Sequence, residues 1–146
     1  MQTFLPYASY AKSAACLDKR RVWKQVLEAR QILASLGIKV LKKDGTPYKK
    51  SHPNHPVYKM WHKNISSLMI YHDFFMNEAK IRGINTKPFY FFDNWFELLN
   101  ENTPDWLDNK AFHNAHKSNL LRKDPEFYGK YNWNLPDNLE YIWPEA

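Results

Sequence analysis

LDKRRVWKQVLEARQILASL, from Leu17 to Leu36, has the spacing of one helix with two unlike flanks. At about 100° per residue, Val22, Val26, Ala29, Leu33 and Leu36 gather on one stripe, which predicts a face turned to a core. Roughly 120° round from it, Arg21, Lys24 and Glu28 share a second stripe, so a single carboxylate stands among cations, with Arg20 beside them. Lys24 and Glu28 also have the spacing of a solvated i,i+4 ion pair, and periodicity alone favours that plain reading over a catalytic acid.

Working outward, residues 1–11 are aromatic and proline-containing, which predicts a chain start packed against the body of the protein. Gly37 predicts the end of the helix. The following LKKDGTPYKKSHPNHP is turn-rich and cationic, with room for a short hairpin. Asn54 then reads as an N-cap with Pro56 in the first turn. From there Trp61, Ile65, Leu68, His72, Phe75 and Ala79 alternate spacings of four and three, predicting one long central helix that stops at Gly83 and packs on the first. KPFYFFDNWFELLN reads as aromatic packing material with a helical tail from Asp93 to Leu99, and Thr103-Pro104 as the start of another short helix. A last helix is expected over Asn109–Arg122, then an irregular aromatic tail. The fold class is mainly α: a compact single domain over 1–146 with about three main helices, long irregular loops and an aromatic C-terminal tail.

The formal charge of +6 favours polyanionic partners, and aromatic residues at 16% include several beside Lys or Arg, as base stacking with phosphate neutralisation would require. The same rings also suit a core. Cys16 is the sole cysteine, which excludes an intramolecular disulfide and a cysteine-rich zinc site and agrees with a reducing, cytoplasmic setting. The start lacks the pattern of a signal peptide and no stretch is apolar enough to span a bilayer, so no membrane partner is expected.

Two His-x-x-His pairs, His52 with His55 and His113 with His116, each lack a third ligand of metal-site spacing, so no metal is expected. His52 and His55 read as loop histidines that contact phosphate or brace the turn before a helix. His113, His116 and Lys117 form one polar helix face, suited equally to phosphate contact and to solvation. In the tail, LLRKDPEFYGKYNW interleaves Arg122, Lys123 and Lys130 with Phe127, Tyr128, Tyr131 and Trp133. Each ring can stack a base for about 1–3 kcal/mol, while a core-capping strap is the structural alternative. There is no Walker loop, GxGxxG, GxSxG or clustered acidic set, which removes the common NTPase, dehydrogenase, hydrolase and two-metal nuclease readings.

Taken together, LDKRRVWKQVLEARQIL, SHPNHPVYKMW and RKDPEFYGKYNW resemble the pyrimidine dimer DNA glycosylase family, the phage endonuclease V group, and above all its bacterial and phage branch beginning MQTFLPY. The likeness spans most of the chain. To the best-known phage enzyme it is remote, resting on a helix-borne glutamate, a central helix ending at RGIN and a late FYGK. The resemblance implies a helical domain, acting as a monomer without cofactor, that binds duplex DNA, flips a base, breaks the glycosidic bond and nicks the abasic site. It implies Glu28 as the catalytic glutamate, Arg20, Arg21 and Lys24 as its basic surround, Lys117 and His113 as phosphate contacts, and Phe127, Tyr128 and Lys130 as the aromatic motif near DNA. It further implies an N-terminal α-amine that attacks the sugar, a group whose pKa near 8 leaves an appreciable neutral fraction. Gln2 departs from the pattern, because its bulk hinders removal of Met1. The Met1 amine, a processed Gln2 amine, water activated by Glu28, and a DNA-binding module without catalysis all stay open.

Overall fold

The computed structural model describes residues 2–50, 54–86, 89–92 and 103–144, with 89–92 described by backbone alone. Among these residues the order is α1 (Tyr10–Cys16), α2 (Lys19–Ser35), β1 (Lys39–Lys42), α3 (Pro56–Trp61), α4 (Ile65–Ile81), β2 (Phe89–Phe92), α5 (Lys110–Lys123) and α6 (Pro125–Tyr128), closed by a 3₁₀ turn at Gly129–Tyr131. The protein is therefore mainly helical, with α2, α4 and α5 as its long elements. No helix of the described residues is long and apolar enough to cross a membrane.

Local chemistry explains most boundaries. Asp18 caps α2 by accepting from the Arg21 amide, and Asn109 caps α5 by accepting from the Phe112 amide. At the far end of α2, Gly37 has φ +94°, Gly37 N–H donates to Ala34 O and Ile38 N–H to Leu33 O. Gly83, at φ +72°, closes α4 the same way. Both are the paired bonds of a Schellman stop, for which a left-handed glycine carries no side-chain penalty.

The core lies where α2 meets α4, its most extensive helix contact. Val22, Val26, Ala29 and Leu33 are fully buried, as are Leu68, His72, Phe75 and Ala79 opposite. The predicted seam of α4 holds throughout, but the single long helix does not. His55, rather than Asn54, caps α3, its Nδ1 accepting from Val57 N–H at 3.1 Å. The chain then leaves helical geometry at Asn64 (φ −132°), whose side-chain amide donates to Met60 O at 3.1 Å and satisfies a carbonyl at the end of α3.

Three further expectations are revised. FYFF (89–92) is a strand, antiparallel to β1 in the register Lys39 to Phe92 and Lys42 to Phe89, as its aromatic composition suits. Thr103-Pro104 opens a turn, because Asp108 at φ +73° takes the chain out of helical space before α5. Residues 10–16, left without an element by the sequence reading, form α1 behind a Ser9 cap. The short hairpin expected after Gly37 survives as the Lys42–Thr46 turn with a Leu41–Pro47 bridge. The predicted helical tail at Asp93–Leu99 lies outside the described residues.

Candidate active site

The start of the chain is held without regular secondary structure, so each of its backbone groups needs a side-chain partner. Gln2 N–H donates to Glu28 Oε2 at 3.1 Å, Phe4 N–H to Gln25 Oε1 at 2.8 Å and Leu5 N–H to His116 Nδ1 at 2.7 Å. The Tyr71 hydroxyl donates to Phe4 O and to Gln25 Oε1, both at 3.1 Å, and His113 Nδ1 donates to Leu5 O at 2.7 Å. Trp61 Nε1–H donates to the Thr3 hydroxyl. Residues 2–5 are all buried, and α2, α4 and α5 each contribute to the clamp.

Glu28 sits at the end of this clamp. It is 6% exposed, whereas Lys24, its partner at 3.9 Å, is largely in solvent. Burial pushes the Glu28 carboxyl above the ordinary range, and the Gln2 N–H and the Lys24 charge oppose that push in part. The plain reading of a solvated ion pair is therefore replaced by a buried acid beside an exposed cation. Phe4, Gln25 and Tyr141 wall a cleft of about 180 Å³ over it, with Gln2, Arg21, Lys24 and Lys123 at its edges. Arg21 is oriented by Asp18, at 3.1 Å, and the Tyr128 hydroxyl donates to the same carboxylate. Lys123 has its pKa lowered by partial burial and then by Arg21, Lys24 and Arg122 nearby, with Glu28 opposing in part, so the cations outnumber the acid there. One buried acid under several cations can exchange a proton and attract a polyanion at the same place.

A sequence profile of the family described as pyrimidine dimer DNA glycosylase matches residues 1–91, which contain the clamped start, Gln25, Glu28 and Tyr71. The chain belongs to the pyrimidine dimer DNA glycosylase family. It matches no curated protein and no solved structure. As a DNA glycosylase family member it acts on DNA carrying pyrimidine dimers.

The glycosylase fold brings together only part of the predicted site. Glu28, Gln2, Arg21, Lys24 and Lys123 line one cleft, with Arg20 exposed on the same helix. Met1 and His52 lie outside the described residues. His113 turns inward instead of meeting phosphate: Nδ1 engages Leu5 O and Nε2 accepts from Asp108 N–H at 3.0 Å, because the start of the chain packs over that face of α5. Tyr128 is likewise fully buried, its hydroxyl bonded to Asp18, so it ties the tail to α2 rather than stacking a base. His55 braces the start of α3 and meets the edge of Trp143. Arg122 is exposed, bonded to Asn119 and to Asp137 O. Lys130 covers the half-buried Phe127 ring at 3.9 Å, and Lys117 stands over Tyr7 at 4.8 Å and Trp133 at 5.9 Å.

Sequence reasoning missed Gln25, Asp18, Phe4 and Tyr141. Gln25 is 1% exposed and receives both the Phe4 amide and the Tyr71 hydroxyl. By helical period it falls between the core stripe and the Glu28 stripe, a boundary position whose polar side chain had to find a partner. Nothing in the spacing of Phe4 or Tyr141 signals the cleft, since both reach it from distant parts of the chain.

Proposed function

We propose that this family member breaks the glycosidic bond at a damaged or modified pyrimidine in duplex DNA and then cleaves at the abasic sugar, with Glu28 as acid/base. The observation that carries the reading is the 3.1 Å bond from Gln2 N–H to the buried Glu28 carboxylate, which ties the start of the chain to the acid. If Met1 is removed, that nitrogen is itself the α-amine. In a chain that starts at Met1, the α-amine is one residue, at most about 3.6 Å of chain, further on.

The amine attacks C1′ of a flipped nucleotide, forming a C–N bond as the base departs with the electrons of the glycosidic bond. Loss of a proton from the nitrogen and opening of the sugar give a Schiff base, and β-elimination then expels the 3′ phosphate. The raised pKa suits Glu28 to hold a proton for one step and take it back in the next, while its ionised form stabilises positive charge developing on the sugar. Arg20, Arg21, Lys24, Lys117, Arg122 and Lys123 supply phosphate neutralisation, and Phe127 with Lys130 adds a stacking surface at the edge of the tail.

Borohydride trapping on dimer-containing and abasic duplexes tests the chemistry, combined with intact mass measurement of the N-terminus. A covalent protein–DNA adduct through the N-terminal residue is expected. Base release without an adduct would replace the amine by water activated at Glu28. Salt-sensitive binding with neither activity would leave a DNA-binding module and overturn the catalytic reading.

A further inference from the structure

We propose that the hollow between α2 and the β1 turn is a second DNA subsite, holding a nucleotide that flanks the one reacting at Glu28. The inference rests on the DNA reading above and adds residues that it does not use. The Glu28 cleft, at about 180 Å³, lies below the roughly 300–1,000 Å³ of sites that enclose a small molecule, which leaves flanking nucleotides to find their contacts outside it. The hollow, at about 460 Å³, lies within that range. Leu27 and Tyr48 give it apolar surface; Gln31, Lys42, Lys43, Asp44 and Lys49 supply the rest of its wall.

Its charge is unbalanced. Lys42, Lys43 and Lys49 are exposed, and among the described residues none has a carboxylate within ion-pair distance. Asp44, the acid at the rim, accepts at Oδ1 from the Thr46 amide at 2.9 Å and the Thr46 hydroxyl at 2.6 Å and also feels the Lys42 charge, so one acid stands against three cations. The Lys42 ammonium lies 5.7 Å from the Tyr48 ring centre, and Tyr48 is itself held by Arg30 Nη1 at 2.7 Å. Apolar surface under a rim of exposed ammonium groups matches the sugar face and phosphates of a nucleotide.

Position supports the same partner. By the helical period the half-buried Leu27 and Gln31 fall on the side of α2 that carries Lys24, and Gln31 is only about 4.5 Å along the axis from Glu28. A strand following that side of α2 from the cleft therefore runs toward the hollow.

The test measures affinity for an undamaged duplex, so its outcome does not depend on whether glycosidic cleavage occurs. Lys43→Ala/Lys49→Ala is compared with Lys59→Ala/Lys80→Ala, which removes the same charge from exposed positions on α3 and α4. The first pair is expected to weaken binding about tenfold or more and to lower the slope of log affinity against log salt by about 2, and the second to change neither. Replacing single flanking phosphates by neutral methylphosphonates should weaken the wild type at two or three adjacent positions and leave Lys43→Ala/Lys49→Ala indifferent there. Equal effects from the two pairs, or methylphosphonate sensitivity that persists in the first, would overturn the subsite.

Discussion

The Glu28 stripe of α2 and the His113/His116 face of α5 look alike as patterns: titratable side chains at three- and four-residue spacings on a helix. In the folded protein they part company. Glu28 opens onto a cleft ringed by cations, whereas His113 and His116 close over Leu5 and bond its carbonyl and amide. Burial lowers the pKa of both histidines, that of His116 to about 3 with the charge of His113 adding to the effect, and raises that of Glu28. One face is placed to react and the other to hold. They meet on the same object, the first residues of the chain, which the histidines anchor at Leu5 and Glu28 receives at Gln2. A polar helix face declares its function only through what is packed on it.

The strongest way to break this contrast is Glu28→Gln. The amide keeps an acceptor for Gln2 N–H but cannot exchange the proton, so base release in single-turnover assays should fall by about 10²–10⁴-fold with duplex affinity retained. Affinity falling in parallel would remove Glu28 from the chemistry. Because the native carboxyl is raised above its unfolded value, it lowers stability once pH exceeds the unfolded value near 4.5. Glu28→Gln should therefore also raise the melting temperature at pH 7 relative to the wild type and leave it little changed below pH 4.

Reversing Arg21 and Lys24 to glutamate should weaken duplex binding by one to two orders of magnitude and flatten its salt dependence by about 2 in slope, since each phosphate contact contributes close to 0.9. An unchanged slope would place DNA elsewhere.

On the holding face, His116→Phe preserves a ring but leaves Leu5 N–H buried without an acceptor. Urea unfolding should show a loss of about 1–3 kcal/mol, and base release should slow more than binding weakens as the chain start loosens. A variant as stable as the wild type would show that the histidine clamp carries no load.

The last effect appears only on acidification. His72, His113 and His116 all have native pKa values below the unfolded 6.5, chiefly through burial, so the unfolded chain takes up protons first as pH falls. Stability is complete above about 6.5 and declines on the acid side toward the native values, by up to about 1.4 kcal/mol per pH unit for each proton involved. His116→Phe should flatten that decline, and an unaltered slope would mean that His116 is already protonated in the native state.

Much of this was legible in local spacing. The seams of α2 and α4, both glycine stops and the Asn109 start of α5 follow from periodicity and cap chemistry, and Glu28 stood out as the lone acid among cations. Other features escaped a reading of period and caps, one through a single local bond and one through a distant pairing. The break at residues 62–64 depends on Asn64 turning its amide back to Met60, and the FYFF strand depends on β1 forty-seven or more positions upstream. The family resemblance implies DNA contacts for His113 and Tyr128, while a polar helix face and an aromatic motif carry no label for inside or outside.

By itself, then, the sequence determined the course of the long helical stretches, the stripes they present and that a polyanion suits the protein, since these follow from neighbours within a few residues and from net charge. Tertiary structure alone decided that Glu28 is buried, that Gln2 bonds it while residues 3–5 are clamped beside it, and that two histidines serve as backbone partners. The physical reason is that burial and hydrogen-bond supply are set by whatever chain arrives from far away: Phe4 and Tyr141 from opposite ends, and Gln25 and Tyr71 from two facing helices.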